Sequence, residues 1–529
     1  MTNATTGSEQ LAANQPRAAA RRAWLARLTG PAMTHWQFSI VILAAVVVRI
    51  IVILGYPPIM WFNDSYNYVY DAVTHIPDEV RPNGYAFFLD LFLPLHNLYP
   101  LAVVQAAMGV VMGVAIYALL RRRGLPWWGA ILPTLPVLFD SYELHLEHMI
   151  TADPLFIFLA TITLVMLCWS DRPSIAVMAV AGLLIGCSAL VRSVGDPLLI
   201  VVLVAMLIRR VGWIRLGAML VAGIVPVGAY MLWFHGTYGN YALTESNGSF
   251  LYSRVSTFAD CQRINPPASL KPLCDPTPTS LRPVPGKYVW ADTELRPDQH
   301  VETPLYKLTK SSDTSLRFTA AVNSLTGKFA KDAILAQPLD YARVVTDDVL
   351  HTFAWARTPD PGDNIGNGPV FNFIYQHELS KLIPWWAKNT PGDPVAHQIY
   401  EARKDIGGPG FGNTEAVWPW SHMLVIYQRI FYLRGPFLGV IVLIGLAGVI
   451  GRWRRWGGVG LLPWLVGALL IVLPPMTAGF SYRYVLAAVP AVCLAAGLAF
   501  ARRPGEASVG ALAADLRRHL GRGVAVEQE

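Results

Sequence analysis

Charge is what this chain has least of. Only 15% of its 529 residues are Asp, Glu, Lys or Arg, against about 25% in an ordinary soluble protein. Lysine is confined further: every Lys lies between Lys271 and Lys404, and the short basic clusters elsewhere are all arginine. No internal repeat is discernible. No GxxxxGK[ST] phosphate cradle is present, so nothing points to an ATP-driven pump. The apolar runs are continuous rather than alternating, which excludes a membrane β-barrel.

Those apolar runs dominate. Hydrophobic residues make up 53% of the chain and mean hydropathy is +0.39. Runs near the roughly 20 residues needed to cross a hydrocarbon core of about 30 Å recur along the sequence. The chain reads as an all-α polytopic membrane protein with about ten transmembrane helices, at 38–56, 101–120, 127–139, 149–169, 176–190, 197–208, 213–234, 436–450, 461–473 and 484–500. The formal net charge of +7 does not point to nucleic acid. Its clusters (Arg21 and Arg22, Arg121 to Arg123, Arg209 and Arg210, Arg452 to Arg455, Arg502 and Arg503) sit beside span ends, where arginine sets topology. Counting spans places every such cluster, and both termini, on the cytoplasmic side of a plasma membrane.

Five parts follow. Residues 1–35 form a cytoplasmic tail, small-residue and Arg-bearing rather than a cleavable signal. A seven-helix membrane module spans 36–234, with a first outer loop at 57–99. A region of about 200 residues, 235–434, is expected on the outer face between helices seven and eight. It is rich in Pro, Gly and charge, has helical periodicity over 316–336 and 338–355, and ends in an aromatic stretch, 417–433, that suits an interfacial helix. Three further spans (435–502) and a cytoplasmic tail (503–529) complete the chain. Cys168, Cys187 and Cys493 lie in spans as apolar filler. Cys261 and Cys274 fall in the outer region, where an oxidising setting favours a disulfide over two free thiols. It would close a loop of roughly 15 residues, a constraint of about 3 kcal/mol in the chain-entropy model.

Polar residues collect at four outward points. The loop at 61–85 reads WFNDSYNYVYDAVTHIPDEVRPNGY, and the segment 140–153 reads DSYELHLEHMITAD. The other two are Arg192 with Ser193 and Asp196, and Ser481-Tyr482-Arg483. Ionisable groups at span ends are costly unless solvated, paired or used, and one shared cleft accounts for all four. Asp64 can take a proton from an attacking hydroxyl. Arg81, Arg192 and Arg483 can hold phosphate oxygens and stabilise a departing phosphate. Glu147 or Asp153 can orient an acceptor or help hold a metal. Each also has a plainer reading: Asp64 as a helix cap, Arg81 as a headgroup contact, Glu147 and Asp153 as loop and helix-start acids, Arg192 and Arg483 as snorkelling anchors. Asp71 and Asp78 read as surface charge. His145 and His148 flank Glu147 without HExxH spacing, so a metal cluster there is not expected.

With these residues in view, the chain resembles the GT-C superfamily of membrane glycosyltransferases, in particular its ArnT and protein-O-mannosyltransferase-like branch. The resemblance rests on Asn63-Asp64-Ser65 just after the first span, and on Arg81-Pro82-Asn83-Gly84-Tyr85 later in that loop. It also rests on the Gly182 to Arg192 span, similar to GLLxGLAxLxR, and on Tyr482-Arg483-Tyr484 through Pro490, similar to RYxxPxxP. It covers 36–234 and 480–490; the outer region matches nothing in that pattern. What the resemblance implies is a polyprenyl-phosphate-sugar donor and a glycan, lipid or protein acceptor. It further implies inversion at the anomeric carbon, Asp64 as general base, Arg81 on the lipid-linked phosphate, and in some relatives a divalent cation such as Mg2+ or Mn2+. Ser65 stands where the family has Glu, so a second acid must come from Glu147 or Asp153. The competing readings are a transporter or flippase of lipid-linked glycans, and a non-catalytic envelope-assembly protein.

Overall fold

The structure, a computed structural model, describes residues 35–62, 64–290, 303–309, 314–355, 414–452 and 457–501. Among them the chain is entirely helical, without strands. In chain order the principal helices are α1 (Trp36–Gly55), α2 (Ser65–Thr74), α3 (Gly84–Asp90), α4 (Tyr99–Arg122), α5 (Ser141–Glu147), α6 (Asp153–Trp169), α7 (Ile175–Val191), α8 (Asp196–Ile208) and α9 (Trp213–Tyr238). There follow α10 (Asn247–Ser256), α11 (Ala320–Ala336), α12 (Pro338–His351), α13 (Trp420–Ile430), α14 (Gly435–Ile450), α15 (Leu461–Thr477), α16 (Tyr482–Leu486) and α17 (Val489–Ala499).

Five helices among the described residues are long and apolar enough to cross a membrane: Trp36–Gly55, Tyr99–Arg122, Trp213–Tyr238, Gly458–Thr477 and Tyr482–Ala499. The other expected spans are shorter. The apolar segment Trp127–Phe139 breaks into successive short turns, with Pro133 and Pro136 at their starts, because proline removes a backbone donor inside a helix. α6 has 17 residues, about 25 Å at 1.5 Å per residue. It begins at Asp153, four residues later than the apolar run at 149. The aromatic stretch before the last spans forms α13, inclined 58° to α14.

α7 and α9 make the closest helix pair, and glycine is the reason. A methyl group at Gly182 would overlap the Met219 carbonyl, and one at Gly186 would overlap the carbonyl of Gly223. A small residue every fourth position lets two membrane helices bring their backbones together.

The two ends of the helix layer differ in chemistry. At the end where α6 stops, Arg123 pairs with Asp171 at 2.6 Å, and Arg209 donates to the Leu167 and Ser170 carbonyls. At the opposite end, where α6 begins and α7 stops, lie Asp153 and Arg192.

A second, smaller core forms around Tyr252, Phe258, Leu273, Tyr288 and Phe329. α11 and α12 coincide closely with the stretches whose periodicity predicts helix, and a disulfide joins Cys261 to Cys274 with Cα atoms 6.0 Å apart. Arg254 of α10 pairs with Asp348 of α12 at 2.9 Å. Residues 1–34, 356–413 and 502–529 lie outside the described residues, so the expected tails and much of the later half of the outer region are not described.

Candidate active site

The first outer loop leaves α1 and runs through Met60 alongside Met149, to which it forms an isolated parallel bridge. Met60 N donates to His148 O at 2.9 Å, and Ile150 N donates to Met60 O at 3.1 Å. Ser65 Oγ donates to Ile150 O at 2.7 Å. Two segments far apart in sequence are thereby held side by side, and each carries an acid a few residues on: Asp64 from one, Asp153 from the other.

Asp64 occupies the cap position of α2, yet its backbone is helical and its side chain accepts nothing from the helix amides. It accepts from Arg81 Nη2 at 2.8 Å and from Arg483 Nη1 at 2.9 Å instead. Arg483 also presents Nε to Asp153 at 3.1 Å, and Asp153, fully buried, pairs with Arg192. Three guanidinium groups and two carboxylates thus form one continuous cluster drawn from four distant stretches. Neither arginine snorkels: Arg483 is buried and Arg192 half-buried. An aromatic ring lies near each guanidinium: Trp290 5.7 Å from Arg81, Tyr484 5.2 Å from Arg192 and Phe62 5.0 Å from Arg483. Such contacts orient the planar groups and strengthen as water is excluded.

The sequence that precedes this geometry explains it. Asn83 Oδ1 accepts from Asp78 N and from Tyr230 OH, both at 2.9 Å, while its Nδ2 donates to the Ile76 carbonyl at 2.8 Å, closing the loop that presents Arg81. A methyl group at Gly84 would overlap the Leu190 carbonyl and the Val191 amide, so glycine lets the Arg81 loop reach the end of α7 just before Arg192. Gly84→Ala should separate these segments at a cost of about 1–3 kcal/mol, as overpacking usually does. Thermal unfolding in detergent checks this, and an unchanged melting temperature would show that the contact yields freely.

Burial alone would raise the Asp64 carboxyl, but Arg81 and then Arg483 outweigh it and hold it at about 2. Burial and the neighbouring Arg483 pull Arg192 down to about 10. A carboxyl lowered on folding contributes stability that is complete above its unfolded value near 3.8 and is lost as pH falls through about 2. The melting-temperature gap between wild type and Asp64→Asn should therefore be widest above pH 5 and narrow towards pH 2. Parallel curves would mean that Asp64 is not clamped.

Asp71 and Asp78 are corrections to the sequence reading. They are not solvated surface charges: Asp71 is 6% exposed, and Asp78 Oδ2 lies 4.0 Å from Arg81 Nη1. Burial, then the neighbouring Asp78, pushes Asp71 well above the usual carboxylate range. Burial likewise raises Asp78, with Arg81 opposing.

Glu147 does not join the cluster. It points back towards α1 and forms a bidentate pair with Arg49, at 2.7 and 2.8 Å, both side chains buried. The signal that could have found this pair was an arginine inside the first apolar run, six residues before the end of α1. Among the described residues, no three His, Cys, Asp or Glu side chains gather as a metal site. Asp64 and Asp153 each face two guanidinium groups, a setting built for anions rather than for a divalent cation.

Compared with family models, curated proteins and solved structures, the chain matches none of them.

Proposed function

We propose that this protein is a membrane glycosyltransferase of the GT-C kind, with about ten spans and both termini in the cytoplasm. It would move a sugar from a polyprenyl-phosphate carrier to a glycan, lipid or protein acceptor on the outer face of the plasma membrane. The observation that carries this reading is Asp64 held between Arg81 and Arg483, with Asp153 and Arg192 completing the cluster at the end of the membrane helices opposite Arg123 and Arg209. An outer-face sugar donor must be lipid-borne, since nucleotide sugars are cytoplasmic, and a phosphate at the membrane surface calls for buried guanidinium groups near a base.

In the proposed reaction the acceptor oxygen attacks the anomeric carbon and its proton passes to Asp64. The bond from that carbon to the phosphate oxygen breaks, and polyprenyl phosphate leaves with the bonding pair, its charge taken by Arg81, Arg192 and Arg483. The free protein is restrained from this. A carboxylate held at about 2 is a poor base for a hydroxyl. A donor phosphate drawing Arg81 and Arg483 onto its own oxygens would loosen their grip on Asp64 and raise its basicity where the base is needed. Donor binding therefore precedes acceptor activation.

A specific observation favours a second reading, a transporter of lipid-linked glycans: the buried Arg49–Glu147 pair inside the membrane region, since such pairs also mark translocation pathways. The deciding experiment supplies the protein, in lipid nanodiscs, with labelled polyprenyl-phosphate hexoses and pentoses and an envelope acceptor fraction. Transfer with release of polyprenyl phosphate supports the enzyme. A folded protein inactive with every donor that nonetheless moves lipid-linked glycan across vesicles supports the transporter.

A further inference from the structure

The Arg49–Glu147 pair is too buried to touch a substrate at the cluster and too elaborate to be incidental. Arg49 spends its guanidinium on Glu147, on the Ala45 carbonyl at 3.2 Å and on the Leu138 carbonyl at 3.0 Å. Room for the pair is made by α4: a methyl group at Gly109 would overlap the Glu147 carboxylate, with Arg49 Nη2 2.6 Å away. Four residues earlier on the same helix, Gln105 is fully buried. It donates to the Glu147 carbonyl at 2.8 Å and the Met149 carbonyl at 2.9 Å, and accepts from Tyr85 OH at 2.8 Å. Residues 147–149 are therefore fixed from below by side chain and backbone together. Directly above, His148 and Ile150 hold Met60, and from this junction Asp64 and Asp153 each stand four residues on. His148 Nε2 lies 2.9 Å from the Tyr56 carbonyl and ties the junction to the end of α1.

We propose that Arg49, Glu147 and Gln105 are positioning residues that set the spacing and orientation of Asp64 and Asp153 from inside the membrane. The proposal rests on the glycosyl-transfer reading of the cluster. A pair of charges in the membrane interior is a poor source of stability, because apolar residues of similar volume often do as well. What apolar residues cannot supply is the directional hold on 147–149 and, through it, on Met60. Loss of that hold should show in the chemical step, since small misplacements of reacting groups are costly in rate, while the lipid-linked donor still reaches the arginines.

The test is the double variant Arg49→Met with Glu147→Leu, beside Gln105→Met and Asp64→Asn. Transfer from the best polyprenyl-phosphate sugar of the panel is measured together with the melting temperature. The expected result is a folded double variant with kcat down about 10- to 100-fold, as for a misplaced catalytic group, and KM for the donor within about twofold, the signature of an interaction made only in the transition state. Gln105→Met should show the same split, and decides the matter if the double variant fails to fold. Full kcat in Gln105→Met or in a folded double variant, with Asp64→Asn inactive, overturns the positioning role and leaves the enzyme reading intact. Wild-type transfer by Asp64→Asn instead removes the reading on which the proposal stands.

Discussion

Asp64→Asn is expected to lower transfer from a polyprenyl-phosphate sugar by about 10²- to 10⁴-fold, the usual contribution of a positioned general base. The amide keeps the shape of the carboxyl and still offers one oxygen, but it cannot take the acceptor proton. Donor binding should survive, because Arg81 and Arg483 are relieved of a competing partner and left freer to meet phosphate. The variant should bind sugar-free polyprenyl phosphate at least as well as wild type while turning over poorly. Both halves can be measured in one nanodisc preparation, by lipid-phosphate-induced shifts in melting temperature and by transfer of labelled sugar. Weakened lipid-phosphate binding with transfer intact would be the reverse of the expected pattern and would remove Asp64 from the role of base.

Arg483→Lys should have the other large effect, although it keeps the charge. Arg483 reaches Asp64 through Nη1 at 2.9 Å and Asp153 through Nε at 3.1 Å, so one planar group bridges two carboxylates. A lysine is a single point charge on a flexible stem and cannot reproduce that fork. It will favour one acid and leave the other with a single arginine, Arg81 for Asp64 or Arg192 for Asp153, a loss of about 1.5–3 kcal/mol for a hydrogen bond to a charged group. The melting temperature should fall, and kcat/KM for the donor should drop at least tenfold, with Arg483→Gln worse on both counts. Lysine performing as arginine does would mean that the bridge is incidental and that only net charge matters.

How far the chain could be read without coordinates differs from element to element. Asp153, Arg192 and Arg483 could be picked out because each interrupts an apolar background at an expected span end, and Asp64 and Arg81 because the polar first outer loop falls on the same expected side. Their pairing was not legible, since it joins stretches up to 419 residues apart. Glu147 met the same sequence criteria and lies on the other side of its own backbone. Its short helix, α5, turns the side chain towards Arg49, a facing that no pattern in a seven-residue segment fixes. Asp71 and Asp78 looked solvated because the loop is polar. They are buried because α9 lies against that loop, with Tyr230 and Tyr238 donating into it. The positions of the long apolar helices and of α11 and α12 were legible, those of the short α3, α5 and α10 were not, and helix lengths were not. Hydropathy marks apolar stretches but cannot see the proline-started turns in Trp127–Phe139 or the start of α6 at its acid.

The contact between Asp64 and Arg483 also bears on how the molecule is made. Asp64 emerges from the ribosome soon after the first membrane helix, and Arg483 only after α15 has followed it into the bilayer. Throughout that interval Asp64 has Arg81 but not its second clamp, and Asp153 has Arg192 but not the bridge. The last arginine acts as a latch that joins two separate ion pairs, Asp64 with Arg81 and Asp153 with Arg192, into one cluster with one positive charge to spare.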